Sequence, residues 1–528
     1  MQLRQGNTPS SYHPNSLHDL IRSAIVKAKN LDRPVLLSYS QTWHPSDPLL
    51  FLATHAQPTQ PQFYWEQPSK DWIVAAAGSV VSLSPNASLC ESRFEQAKQF
   101  STSLLADAVV GNAADLEGLG LDANLVASPY VLGGFAFHEA IAGFQQDNWH
   151  SDRVTRNGEK IWHGFPPVMW FVPRWILHRT GGRSIVTVHA YIQPQDLWEA
   201  IASSLATTLM ELRHNSHENS QDRAQGNSQN ASIESSHHNP FPFSTPTSLR
   251  TEEVLGNQSW SGIVEQALDL IQQQKLDKVV LARALDVSAD RAFNPFAVLH
   301  KLRCDYPECV SFLVNCGSDD TFLGATPELL LQVQSHVDYL GLRSNAVAGS
   351  IQRGKTEAED RILSDRLLNS QKDINEHKIV IHSICDRLQS MGAQLDKLAP
   401  TQLLRLSNVQ HLYTPITAKL PNADWSATFD VLAKLHPTAA VGGEPRDRAV
   451  QLMQQWEACD RGWYAAPIGW LNGNGEGAFA VGIRSGYICG DRARIFAGAG
   501  IVANSQVTTE QSETTIKFAA LLKALGVT

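Results

Sequence analysis

Apolar residues recur at helical spacing at Leu17, Ile21, Ala24, Ile25 and Ala28, and the chain then passes into Pro34-Val-Leu-Leu-Ser-Tyr-Ser. That pattern predicts a helix over 17–29 followed by a strand that ends in polar residues. Phe63-Tyr-Trp-Glu-Gln-Pro, Trp72-Ile-Val-Ala-Ala-Ala-Gly and Tyr130-Val-Leu-Gly-Gly-Phe-Ala-Phe read as further strands, with glycines marking kinks. Most of residues 30–190 is therefore expected to be sheet, with one helix near 92–107. From Arg213 to about Arg250 the periodicity gives way to His, Asn, Ser, Gln and Pro. Such a segment buries too little apolar surface to offset its ordering entropy, so it reads as a surface linker. Its histidines (His214, His217, His237, His238) read as solvated side chains ahead of a chelating cluster. The resulting division is 1–212, a low-complexity join at 213–250, and 251–528.

Beyond the join, Trp260 to Gln274 is an amphipathic helix with Ile263, Ala267 and Leu270 on one face, leading into the strand Lys278-Val-Val-Leu-Ala-Arg. The period of two places Lys278, Val280, Ala282 and Ala284 together, leaving room above the ammonium for a ligand. On the strand alone, a lysine guarding a sheet edge is the plainer reading. Phe322-Leu-Gly-Ala-Thr, Pro327, then Glu328-Leu-Leu-Leu reads as a strand interrupted at the proline and resumed. A carboxyl among leucines is poorly solvated, and desolvation favours the protonated form that a general acid requires; an outward-facing strand glutamate is the equal alternative.

One long helix is expected from Thr356 to about Ser390, with Asp373 and Glu376 at i and i+3 on its polar side. Glu510 and Glu513 repeat that spacing near the start of a final helix, where Thr508 and Gln511 make a capping-box pattern and Gly526 closes the helix. Acids in a first turn are ordinarily partners of the helix dipole, the bland reading for Glu510. Paired hard oxygens suit Mg²⁺ better than zinc. In Ala478-Phe-Ala-Val-Gly-Ile-Arg-Ser-Gly-Tyr the alternation puts Ala480, Gly482, Arg484 and Gly486 on one face, three tiny residues around a guanidinium suited to a carboxylate. Gly498-Ala-Gly500 offers backbone amides at close approach, or a plain bulge.

Composition narrows the classes. At 528 residues with 43% hydrophobic and 18% charged content, the chain is long enough for more than one core and ordinary for a globular enzyme. A formal net charge of -9 gives no basic footprint for nucleic acid or an anionic membrane. Seven scattered cysteines without a Cys-x-x-Cys pair read as reduced packing thiols of a cytosol-like compartment. No window is long and apolar enough for a spanning helix, and residues 1–16 are polar with a single arginine, weak support for an organellar leader. The expectation is a cytoplasmic chain without membrane or nucleic-acid partners.

The ordered motifs Lys-Val-Val-Leu-Ala-Arg (278–283), Gly-Ala-Thr-Pro-Glu-Leu-Leu (324–330), Val-Ala-Gly-Ser-Ile-Gln-Arg-Gly (347–354), Leu-His-Pro-Thr-Ala-Ala-Val-Gly-Gly (435–443), Arg-Gly-Trp-Tyr (461–464) and Gly-Ala-Gly-Ile-Val (498–502) resemble the chorismate-utilising enzymes. Among their branches the chain looks most like the isochorismate synthases. The aminodeoxychorismate synthases carry a lysine nucleophile where this chain has Ala348 before Gly349-Ser350, and anthranilate synthases tend to have glutamine in place of Lys278. The resemblance implies an α+β fold, with large, mostly antiparallel sheets packed face to face and flanked by helices, and with the N-terminal part adding strands. It implies Lys278 as base for water and Glu328 as acid for the leaving hydroxyl. It further implies Mg²⁺ on Glu376 and Glu513 with Asp373 and Glu510, and chorismate held by Ala348, Gly349, Thr438, Tyr464, Arg484, Gly498, Gly500 and Lys517. His411 and His436 are candidate pocket liners, although a structural role is the commoner reading for each. The implied product is isochorismate, which feeds quinone, siderophore or salicylate synthesis. A salicylate synthase that goes on to eliminate pyruvate and a non-catalytic chorismate-binding subunit are the alternatives. No glutaminase partner is expected, and the chain is expected to be a monomer.

Overall fold

The computed structural model describes residues 17–44, 46–83, 92–113, 116, 128–138, 161, 162, 164–225, 241, 246, 248–254, 256 and 258–527. The leader segment 1–16, Cys90, and His237 and His238 of the join lie outside them, as do the side chains of His214 and His217. Among the described residues the strands form two sheets, of thirteen and ten strands. The ladders that carry the site are antiparallel; Val35–Trp43 and Val109–Asn112 run parallel. Strands from either side of the join interleave. Pro61–Gln67 pairs with Val310–Cys316 in the larger sheet, and Tyr130–Phe135 pairs with Pro467–Asn472 in the smaller.

The period of two explains the layers. Phe63 and Trp65 face a core shared with Leu132, Phe135, Trp170 and Phe479 of the smaller sheet. Tyr64, between them in sequence, joins a second core made with the helices Leu17–Leu31, Pro48–His55, Pro295–Asp305 and Val507–Leu525. The larger sheet is thus buried on both faces, which is why its strands read as unbroken apolar runs.

Several expectations are corrected. Residues 30–190 hold a second helix, Pro48–His55, besides Arg93–Leu105; its signal is Asp47, whose carboxylate accepts the Leu49 N–H at 2.9 Å, with proline at the first helical position. The helix Trp198–Gln225 runs past Arg213 into the expected linker. Once nucleated on the buried Leu205 and Leu212, a helix propagates through polar residues at little cost. Phe241, also within that stretch, is buried and stacks on Phe296. The long helix over 356–390 is two, Glu357–Asn369 and Gln371–Ser390. Ser370 adopts an extended backbone and its hydroxyl accepts the Asp373 N–H, capping the second helix. The final helix begins at Val507 with no side-chain cap, so Thr508 lies inside it and makes no capping box; Gly526 in the left-handed region does end it. Lys278 is no edge residue: within its strand, Lys278–Ala289, it pairs with Glu444 of the short strand Gly443–Glu444, and Arg492–Ile501 runs along the other side from Val279 onward.

The two glycine-rich and proline-interrupted strands prove to be crossings between sheets. Asp320–Thr326 belongs to the larger sheet and Leu329–Ser335 to the smaller, with Pro327 and Glu328 between. Likewise Glu476–Val481 lies in the smaller sheet and Ser485–Cys489 in the larger, joined by Gly482-Ile-Arg484. Arg484 therefore does not share a strand face with Ala480 and Gly486. The crossings are neighbours: Leu329 pairs with Ala480 on one side and Gly324 with Ser485 on the other.

Candidate active site

The crossings open a cavity between the two sheets. Of the residues singled out in the sequence, Glu328, Ala348, Gly349, Glu376, His411, Tyr464, Arg484, Gly498, Gly500, Glu513 and Lys517 line it. Its wall also includes Val280, Pro327, Ser350, Ala440, Val441, Ile483, Phe496 and Ala497, which the sequence reading did not place in the site. Most adjoin a named motif residue, and that adjacency is the signal that could have found them.

Glu328 is held by its backbone, donating to Thr326 Oγ1 at 3.3 Å and accepting from the Val481 N–H at 3.0 Å. Its side chain is buried. Burial pushes the carboxyl up to about 7, against the pull of the Lys278, Lys517 and Arg484 cations. Arg484 has a left-handed backbone, φ +52°, rare for a branched-off side chain of this size. A Cβ on Gly324 would meet the Arg484 carbonyl at 2.7 Å, so this close approach requires glycine.

Arg484 Nη2 lies 3.2 Å from His411 Nε2. A guanidinium can only donate, so Nε2 accepts and the imidazole proton is on Nδ1, which faces Ser350 Oγ at 2.9 Å and the Gly349 carbonyl at 3.3 Å. Burial, with the Arg484 and Lys517 charges, draws His411 down to about 3 and keeps it neutral. Gly349 has φ +73° at a bulge between Ala348 and Ser350, which turns this strand's backbone toward the cavity.

Lys278 lies just behind the wall and is fully buried. Its Nζ is 2.9 Å from Glu376 Oε1 and forms no well-aligned hydrogen bond among the described residues. Gly500 covers it: a Cβ there would meet Glu376 Oε1 at 2.3 Å and Lys278 Cε at 3.0 Å. On the same strand Gly498 faces the Tyr464 hydroxyl, and Lys517 Nζ donates to the Gly498 carbonyl at 2.7 Å.

The four acids are divided among partners. Lys278 holds Glu376, Lys517 holds Glu513 at 2.6 Å, Lys372 holds Glu510 at 2.6 Å, and the Ser370 hydroxyl donates to Asp373. Lys372, in the same Lys-Asp-Ile-Asn-Glu-His patch as Asp373 and Glu376, was missed by the sequence reading. The acids nevertheless feel one another. Burial lifts Asp373, and Glu376 and Glu513 add to that rise. Burial and then Glu513 lift Glu510, while Glu513, despite burial, is held at about 2 by Lys517. Among the described residues no three such groups already close on one point. Glu510 Oε2 is buried without a hydrogen-bond partner there. This hard-oxygen set fits Mg²⁺ in donor chemistry.

Two expected liners stand apart. His436 donates through Nε2–H to the Phe137 carbonyl at 3.0 Å and packs against Phe94 and Phe137, away from the cavity. Burial holds it well below its ordinary range. Thr438 is buried and accepts the Ala440 N–H through its hydroxyl, shaping the turn that brings Ala440 and Val441 to the wall. Of the remaining cysteines, the six within the described residues are free, and no described helix is long and apolar enough to cross a membrane.

The chain is similar to known proteins over most of its length. Isochorismate synthase MenF of Bacillus subtilis is 31% identical over 507 residues, covering 95% of this chain and 96% of that protein. The salicylate biosynthesis isochorismate synthase of Pseudomonas aeruginosa is 32% identical over 518 residues, covering 98% and 96%. The solved structure of MenF, the menaquinone-specific isochorismate synthase of Escherichia coli, superposes with a TM-score of 0.66 at 26% identity, covering 96% of this chain and all of that one. Anthranilate synthase component I of Streptococcus pneumoniae shares the fold, with a TM-score of 0.56 at 20% identity. With residues 22–526 matching the chorismate binding enzyme family, the chain belongs to that family.

Proposed function

We propose that the chain is an isochorismate synthase, converting chorismate reversibly to isochorismate with Mg²⁺. The observation that carries the reading is Glu328, a buried carboxyl held at about 7 on the wall of a cavity that also holds Arg484 and Lys517. Such a group keeps a proton near neutral pH and can hand it over. Chorismate carries two carboxylates. Arg484, with Tyr464 and the Gly500 amide, is suited to the enolpyruvyl carboxylate, because His411 fixes the guanidinium from behind. Mg²⁺ would be held by Glu376 and Glu513, with Asp373 and Glu510 directly or through water, and would supply charge to bind the ring carboxylate.

Lys278 takes a proton from the water whose oxygen bonds to C2. The ring double bond shifts, and the C4–O bond breaks as Glu328 protonates the departing hydroxyl. One water enters and one leaves, so product and substrate are isomers. Ala348 offers no covalent nucleophile, and the reading includes a monomer that draws on solvent water without an ammonia-supplying partner.

The test is purified protein with chorismate and Mg²⁺ in ¹⁸O-water, products separated by chromatography. Isochorismate labelled at C2, with little pyruvate, is expected. Pyruvate accumulating in step with chorismate loss would make it a salicylate synthase; binding without turnover would make it a non-catalytic subunit.

A further inference from the structure

The strand that carries Lys278 has an incomplete neighbour. One side is paired from Val279 to Ser288 by Arg492–Ile501. On the other, Gly443–Glu444 pairs only with Lys278 and Val279, and Leu249–Glu253 only from Leu285 onward. The Val280 N–H still reaches the Gly442 carbonyl at 2.8 Å, and the gap beyond it, from the Val280 carbonyl to the Ala282 N–H, is filled by two side chains, Glu457 and Arg461. Glu457 Oε1 accepts the Ala282 N–H at 2.9 Å, and Arg461 Nη2 donates to the Val280 carbonyl at 2.8 Å. Those are the bonds that a neighbouring strand would make.

The pair is locked to itself and to the cavity wall. Arg461 donates to both Glu457 oxygens, at 2.8 and 2.5 Å, and through Nη1 to the carbonyl of Val441 at 2.8 Å. Its guanidinium lies over the Phe137 ring at 4.4 Å. Both side chains are 1% exposed. A buried ion pair is a poor way to gain stability, because desolvation offsets most of the attraction and apolar residues of similar size do as well. Its donors and acceptors, however, reach three backbone groups at once: Val280 and Ala282, just beyond the lysine, and Val441 on the opposing turn.

We propose that Glu457 and Arg461 are positioning residues for the reaction, replacing the missing strand segment so as to fix Lys278 and the Val441 turn against the Gly498–Gly500 wall. This rests on the reading of Lys278 as the base. Arg484 and Lys517 are anchored elsewhere, by His411 and by Glu513 with the Gly498 carbonyl. Loss of the pair therefore acts on turnover more than on substrate capture.

The experiment compares two double variants with the parent and with Lys278→Ala. Glu457→Met with Arg461→Leu strands no charge but leaves the Ala282 N–H and the Val280 and Val441 carbonyls without partners, so its thermal midpoint is expected to fall, and kinetics are read well below that midpoint. Its kcat is expected to fall roughly 100-fold with KM within about threefold, the scale of an ångström of misplacement. Glu457→Gln with Arg461→Gln keeps an acceptor for Ala282 and a donor for Val280, and is expected to recover about tenfold of that loss. The proposal is overturned if the apolar pair keeps kcat within about threefold of the parent. It is equally overturned if kcat merely follows the midpoint in both doubles, or if neither folds, since the pair is then a structural staple. Turnover retained by Lys278→Ala would instead sink the assignment of the base.

Discussion

Replacing Glu328 with glutamine should leave its mark on stability as well as on rate, and the two can be read separately. The carboxyl goes from an ordinary value of 4.5 to about 7 in the folded chain because it is buried. A raised folded value means that folding favours the protonated form. The associated stability is fully present below about pH 4.5 and is lost as pH rises through about 7. The shift amounts to about 3 kcal/mol, from roughly 1.4 kcal/mol per unit. Glutamine has no such titration. The stability of Glu328→Gln relative to the parent should therefore climb by about 1.4 kcal/mol per pH unit between pH 5 and 7 and level off above. Urea denaturation of both proteins at half-unit steps from pH 5 to 8.5 measures it. The parent's kcat/KM should fall about tenfold per unit above pH 7, as the acid is lost. A stability difference that stays flat across that window would refute the buried-acid argument, even if the variant were inactive.

Other substitutions probe the remaining parts. Lys278→Met should cut turnover roughly 10²–10⁴-fold. It should also destabilise the fold by about 3–5 kcal/mol, because Glu376 is left unpaired; adding Glu376→Gln should restore the midpoint but not the activity. Calorimetric titration should show Glu376→Gln and Glu513→Gln each weakening Mg²⁺ binding at least about tenfold, and unchanged affinity would remove them from the metal site. Gly500→Ala places a methyl 2.3 Å from Glu376 Oε1. It should lower kcat by about tenfold or more at a cost of about 1–3 kcal/mol in stability, and a fully active alanine variant would show that the wall yields there.

Much of this was legible in the chain because the relevant signals are local. The leucines after Glu328 announced its desolvation, and the glycines at 498 and 500 announced a close approach. What stayed hidden depends on partners distant in sequence. Nothing in Ala478–Tyr487 says that the chain changes sheets at Gly482, since alternation continues through the crossing. Whether Lys278 lies at an edge is decided by Gly443–Glu444, far along the chain, which pairs with it. His436 looks like a pocket residue until Phe137, 299 positions earlier, takes up its ring nitrogen. The break at Ser370 was readable in principle: serine three residues before aspartate is a capping signal, masked by apolar spacing that runs on unbroken.

The paired crossings also make the site mechanically two-part. Glu328 and Arg484 ride on adjacent segments tied to each other at Leu329–Ala480 and Gly324–Ser485. Lys278, Gly498 and Gly500 belong wholly to the larger sheet. A small slide of one sheet over the other would carry acid and arginine together, leaving their spacing intact, and would change the span from acid to lysine. Substitutions deep between the sheets, at Trp170 or Phe479 for example, would then detune proton delivery and the spacing of Arg484 from the Gly500 amide together, so that distant damage to the core would register in turnover and in carboxylate binding alike.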